Sequence, residues 1–178
     1  MSASVALDPH PATPAPPDEA LRVDYALSRR GLELCYRFHG DPAALRLPEP
    51  RVGGPADGLW RQTCCEAFVA AVDAPGYREF NFSPSGQWAV YRFADYRRRD
   101  GADSPVALPP LVFHRRADGF ELRAVIPSAL LPTGPLHVGL SAVLEDADGG
   151  IRYRALADGG GPPDFHLRRT FILTLDHP

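Results

Sequence analysis

Short runs in which every second residue is apolar, each closed by a turn rich in glycine or proline, constrain this chain more than any other feature. Leu21-Arg22-Val23-Asp24-Tyr25-Ala26-Leu27 alternates, a turn follows at residues 28–31, and Leu32-Glu33-Leu34-Cys35-Tyr36-Arg37-Phe38 alternates again. Neighbouring side chains on a strand point to opposite faces, so this pattern predicts a hairpin with one buried face. Strand signals recur over residues 62–72, 77–83, 87–93, 111–116, 120–126, 136–145, 151–157 and 170–175, with Gly or Pro in nearly every connector. About ten strands at such spacing, with little 3.6-residue periodicity, predict an all-β fold: a two-sheet antiparallel sandwich, immunoglobulin-like or jelly-roll-like. Helix is expected only as single turns near residues 41–45 and 127–131. Residues 1–18, with Pro9, Pro11, Pro14, Pro16 and Pro17, read as an extended lead-in, and residues 19–178 as one domain.

Composition narrows the function classes. A net charge of −3 and a pI near 6.0 provide no basic field for nucleic acid, and no apolar stretch reaches the length of a membrane helix. All nineteen basic residues are Arg, which excludes lysine Schiff-base chemistry and lysine-dependent phosphate loops. The three cysteines, Cys35, Cys64 and Cys65, suit neither a zinc site nor a disulfide framework. They read as small apolar filler in a reducing compartment, and with no signal-peptide pattern near the N-terminus the expected location is cytoplasmic.

The candidate chemistry lies on the strands. In residues 77–83, Phe80 and Phe82 share one face, while Tyr77, Glu79, Asn81 and Ser83 form a row of hydrogen-bonding groups on the other. That row is either a solvated outer face or a surface for a polar ligand. Glu66 shares its face with Gln62, Cys64, Phe68 and Ala70; a carboxylate there is partly buried or lines a cavity. Glu145 shares its side with His137, Gly139, Ser141 and Val143, where small residues leave room above the sheet. Three carboxylates from three strands could hold a Ca²⁺ ion or sugar hydroxyls. Trp60 and Trp88 are either stacking platforms or core residues. Asp164 and His166 form either a carboxylate-oriented base or a pin for their loop, and Tyr96-Arg97-Arg98-Arg99-Asp100 reads as a solvated basic turn. No Gly-x-Ser-x-Gly elbow is present.

The segment Leu59-Trp60-Arg61-Gln62-Thr63-Cys64-Cys65-Glu66-Ala67-Phe68, followed by the Tyr-x-Glu-x-Asn pattern of Tyr77, Glu79 and Asn81 and then Gly86, resembles bacterial DOMON-like domain proteins. These are in turn similar to family 9 carbohydrate-binding modules. Gly139 to Glu145, Tyr153 to Leu156 and Pro163 to His166 fit the same pattern, so the resemblance spans residues 5–176. It implies a β-sandwich that binds a sugar or haem and catalyses nothing. Glu66, Glu79 and Asn81 would face the ligand, with Trp60 and Trp88 as stacking surfaces. The only Met is Met1, so the Met–His haem ligation of DOMON domains cannot form within the fold.

The expectation is therefore a non-catalytic domain that binds a small polar ligand, a sugar or sugar-like metabolite. Its site residues would be Trp60, Glu66, Tyr77, Glu79, Asn81, Trp88, Glu145 and His166. No cofactor is expected, with Ca²⁺ the one option, and neither nucleic acid nor membrane is a partner. Two alternatives stand beside it. The same face could serve a protein partner or a homo-oligomer, or Glu79 or Glu145 could act with His166 in a hydrolase or isomerase.

Overall fold

The computed structural model describes residues 2–101 and 107–177. In chain order the first strands are β1 (Ala3–Ala6), β2 (Asp8–Pro9), β3 (Ala20–Ser28), β4 (Gly31–His39), β5 (Gly54–Pro55), β6 (Cys64–Ala71) and β7 (Tyr77–Phe82). They are followed by β8 (Gln87–Asp95), β9 (Arg98–Arg99), β10 (Val112–Arg116), β11 (Gly119–Pro127), β12 (Gly134–Glu145), β13 (Ile151–Ala155) and β14 (Leu173–His177). Four of these, β1, β2, β5 and β9, have two to four residues, too short to stand out as periodic runs; without them the count is the ten read from the sequence. The only helix among the described residues is three single 3₁₀ turns, at Leu59–Arg61, Ser128–Leu130 and Arg168–Thr170.

The strands form two sheets. The smaller runs β1-β3-β4-β11-β10, and the larger runs β2-β13-β12-β6-β7-β8-β5, with β14 on β12 and β9 on β8. All pairings are antiparallel except the short β5–β8 contact. The core fills the space between the sheets. Leu21, Val23, Leu34, Tyr36, Phe120 and Leu122 come from the smaller sheet, and Val69, Phe80, Phe82, Leu136, Val138 and Leu140 from the larger. Fully burying such a side chain contributes roughly 1.5–3 kcal/mol. Tyr36 brings a hydroxyl into this core, and it donates to the Glu66 carbonyl at 2.7 Å, fastening the sheets together.

Residues 3–9 lie within the sandwich. Val5 pairs with Val23 across β1 and β3, Leu7 is buried, and Pro9 pairs with Arg154 on the other sheet. The domain therefore starts well before residue 19. The alternation Val5-x-Leu7 was masked by the prolines that follow it. An ion cluster holds this end in place: Glu19 accepts from Arg152 at 2.6 Å and from Arg154, while Arg152 also bonds Asp146 at 2.7 Å.

The larger sheet is buried on both faces, which explains the near-continuous apolar run of β6. Its outer face carries a second cluster of Phe68, Ala70, Tyr77, Ala89, Tyr91, Phe93 and Phe171. The last of these comes from the C-terminal segment that folds over the sheet. Gly139 makes the close approach possible, since a Cβ there would sit 2.8 Å from the Phe171 ring. The room expected above Gly139 is thus filled by an aromatic side chain.

Candidate functional site

A cavity of about 660 Å³ opens on the outer face of the larger sheet, within the size range of small-molecule sites. Strand register builds its floor. Glu66 on β6 lies between Asn81 on β7 and Ser141 on β12, and Glu79 lies between Phe68 and Tyr91. Glu66 and Glu79 are therefore diagonal neighbours, and both reach the cavity. Ser141 Oγ donates to Glu66 Oε2 at 3.0 Å, and Asn81 Nδ2 donates to Glu79 Oε1 at 2.7 Å.

Burial decides the charge on this floor. Desolvation, reinforced by the neighbouring Glu79 charge, pushes the Glu66 carboxyl up to about 8. Burial also raises Glu79, but the Asn81 amide and the charges of Arg99 and Arg97 pull it back. Glu66 therefore keeps its proton at neutral pH, beside a Glu79 whose charged form the amide and the two guanidinium groups favour. The floor can then both donate to and accept from hydroxyl groups.

His166 completes it. Its Nδ1 lies 2.7 Å from Tyr77 Oη, and that oxygen already accepts the Arg97 N–H at 3.1 Å. The tyrosine proton has Nδ1 as its acceptor when the histidine is the Nε2–H tautomer. Nε2 stands 3.7 Å from Glu79 Oε2, too long for a hydrogen bond. Burial and the Arg97 charge lower His166 to about 4, so the ring is neutral. It is held edge-on against Phe68 and Phe93 at 5.2 and 5.0 Å.

The walls are aromatic and cationic. Trp60, from the 3₁₀ turn before β6, is half exposed with the Arg61 guanidinium over it; Tyr91 lies under Arg99; Tyr153 meets the edge of Phe165. Asp164 ties the C-terminal cover to the β8–β9 turn, accepting from Tyr96 Oη, Arg97 Nη2 at 2.9 Å and the His166 N–H at 3.0 Å. Of its two readings, the loop pin is the one this geometry supports.

Of the sequence candidates, Trp60, Glu66, Glu79 and His166 line the cavity. Four other candidates do not line it. Asn81 lies fully buried beneath the floor and acts on Glu79, and Tyr77 stands behind His166, stacked on Phe93 at 4.8 Å. Trp88 belongs to the core between the sheets, because its place on β8 opposite Phe82 gives it the parity of the phenylalanines rather than of Glu79. Glu145 extends past Val143 and is taken by Arg46, whose Nη1 donates at 2.9 Å. A three-carboxylate Ca²⁺ cage from Glu66, Glu79 and Glu145 therefore does not assemble. Among the described residues no cluster of three or more His, Cys, Asp or Glu could hold a metal.

Sequence reasoning missed Tyr91 and Phe93, which the pairing of β7 with β8 would have placed beside Glu79 and Tyr77. It also set Arg97 and Arg99 in a solvated turn, and gave no role to Arg61, Tyr153 or Phe165.

No family model matches the chain, and no curated protein matches it. Solved structures do match in fold. A Bacteroides uniformis ATCC 8492 protein provisionally described as carbohydrate-binding superposes over 99% of this chain and 86% of its own, with TM-score 0.72 and 17% identity. A family 9 carbohydrate-binding module from Caldicellulosiruptor kristjanssonii, solved with glucose, matches 88% of this chain and 76% of its own (TM-score 0.60, 11% identity). Its cellotriose complex gives TM-score 0.59 at 10% identity, over 88% and 75% of the two chains. The chain shares the sandwich fold of these proteins.

Proposed function

We propose that this protein is a DOMON-like relative of the family 9 modules that binds a small sugar or sugar-like metabolite, without transforming it, in the cavity over β6, β7 and β8. The observation that carries this reading is the diagonal pair Glu66 and Glu79: two carboxyls, one held protonated by burial, side by side beneath aromatic walls. A polyol offers donors and acceptors in matching number, and its C–H faces suit Trp60, Tyr91 and Tyr153. The fold likeness to modules solved with glucose and cellotriose supports the same reading. The lining supplies hydrogen bonds and stacking surface, and the nearby Ser141 hydroxyl is committed to Glu66.

Isothermal titration of the full chain with glucose, galactose, xylose, cellobiose and cellotriose, with Ca²⁺ and with EDTA, tests it. At least one sugar is expected to bind, with affinity falling about tenfold or more in Glu79→Gln, the cost of losing a charge-assisted hydrogen bond. No binding to any sugar in either buffer would refute it.

A further inference from the structure

We propose that the ligand carries a carboxylate, as a sugar acid does, and that Arg61 and Arg99 take it; this rests on the sugar reading above. Three guanidinium groups reach the cavity: Arg61, Arg97 and Arg99. Arg97 is committed to Asp164. The other two lie over aromatic rings without a hydrogen-bonded carboxylate among the described residues. Arg99 lies 4.0 Å from the Tyr91 centroid; its nearest carboxylate, Asp57, is 3.9 Å away and already accepts from the Tyr91 hydroxyl. Arg61 lies 5.2 Å from the Trp60 centroid. A guanidinium seated on an aromatic face keeps the N–H donors along its edge free, and that fork matches a carboxylate.

These two cations come from separate elements, the Leu59–Arg61 turn and β9, yet meet at one cavity. The backbone that delivers β9 is strained: Arg97 has φ +50°, the only positive value at a non-glycine among the described residues. Such a conformation is disfavoured for an arginine and persists where the surroundings enforce it, as the Tyr77 and Asp164 contacts do here.

Donor geometry selects the class of ligand. Two guanidinium forks lining one cavity suit a planar carboxylate, with the ligand's hydroxyls to spare for Glu66 and Glu79.

Titrating the full chain at pH 7 and low salt with glucuronate, galacturonate, glucose, galactose and glucose 6-phosphate separates the cases. A uronate is expected to bind about tenfold or more tightly than its neutral counterpart. That preference should shrink in about 0.5 M NaCl, where screening is strong. In an Arg61→Gln/Arg99→Gln variant, with folding checked by its thermal transition, uronate affinity should fall to that of the neutral sugar. Neutral sugars binding as well as uronates, or phosphate binding best, would overturn the carboxylate assignment and leave the sugar reading intact. No binding by any of the five, nor by xylose, cellobiose or cellotriose, would overturn both.

Discussion

Replacing Glu66 by Gln tests the electrostatics of the floor without a ligand. An ordinary glutamate titrates near 4.5 and this one near 8, so between those values the native protein holds a proton that the unfolded chain has released. The unfolded state then binds fewer protons, and stability falls as pH rises, by at most about 1.4 kcal/mol per pH unit. His166 acts in the opposite sense. Lowered from 6.5 to about 4, it makes stability rise with pH across that interval and offsets Glu66 there. From pH 6.5 to 8 the Glu66 slope is no longer opposed, and it removes up to about 2 kcal/mol. Gln imitates the protonated acid, so the two proteins should match only below about pH 4.5, and since His166 is common to both, the margin of Glu66→Gln over the parent should widen by up to about 2 kcal/mol between pH 6.5 and 8. For a chain of this size that is roughly 4–8 °C in Tm. Buried Cys64 and Cys65, whose thiols are pushed up by burial, stay protonated in both native proteins up to pH 8 and cancel in the difference. Urea unfolding at pH 6, 7 and 8 measures it. Parallel stability curves for parent and variant would show that Glu66 is already ionised at pH 6, and the account of the floor would be wrong.

Three further outcomes follow from the packing. Glu19→Ala leaves Arg152 and Arg154 without their shared carboxylate, Arg154 with a side chain only 3% exposed, and should cost about 3–5 kcal/mol in denaturant unfolding. Gly139→Ala drives a methyl group into the Phe171 ring, so it should lose about 1–3 kcal/mol and, by lifting the C-terminal cover, weaken binding as well. Trp88→Ala should lower stability by about 3–5 kcal/mol, whereas Trp60→Ala should leave unfolding nearly unchanged and reduce sugar affinity in titration.

The fold was legible because period-two alternation is a local signal, and β3 and β4 carry it cleanly: each has one face in the core and one in solvent. The same rule separated Phe80 and Phe82 from Tyr77, Glu79 and Asn81, and so pointed to the correct face of β7. It could not say which polar residues on that face reach open space. Asn81 and Glu79 have the same parity, but the amide is spent on its neighbour's carboxylate, a fact of side-chain reach rather than spacing. Trp88 shows the converse. The reversal through Pro84-Ser85-Gly86 sets β8 in a register that puts Trp88 opposite Phe82, and a reading that weighs residue type above register misplaces it. Glu145 failed for a third reason: its partner, Arg46, comes from a loop 99 residues away in sequence.

What the strand pattern lacked altogether was the C-terminal cover. Residues 156–172 form no strand, yet they bring Phe165, His166 and Phe171 over the outer face of the larger sheet. Without that layer, β6 and β7 would present a wet polar face, Glu66 would titrate as an ordinary carboxylate, and the row of polar groups would be the solvated surface that period-two logic favours. With it, water is excluded from one side of the acid pair, one carboxyl keeps its proton, and hydrogen-bonding groups that would otherwise compete with bulk water are concentrated in a single hollow. Asp164 is the joint that holds the arrangement, since Tyr96, Arg97 and the His166 backbone all meet on its carboxylate. Site chemistry and cover are thus one property of the chain. A substitution that frees the cover should therefore return Glu66 toward ordinary acidity even when it touches neither glutamate.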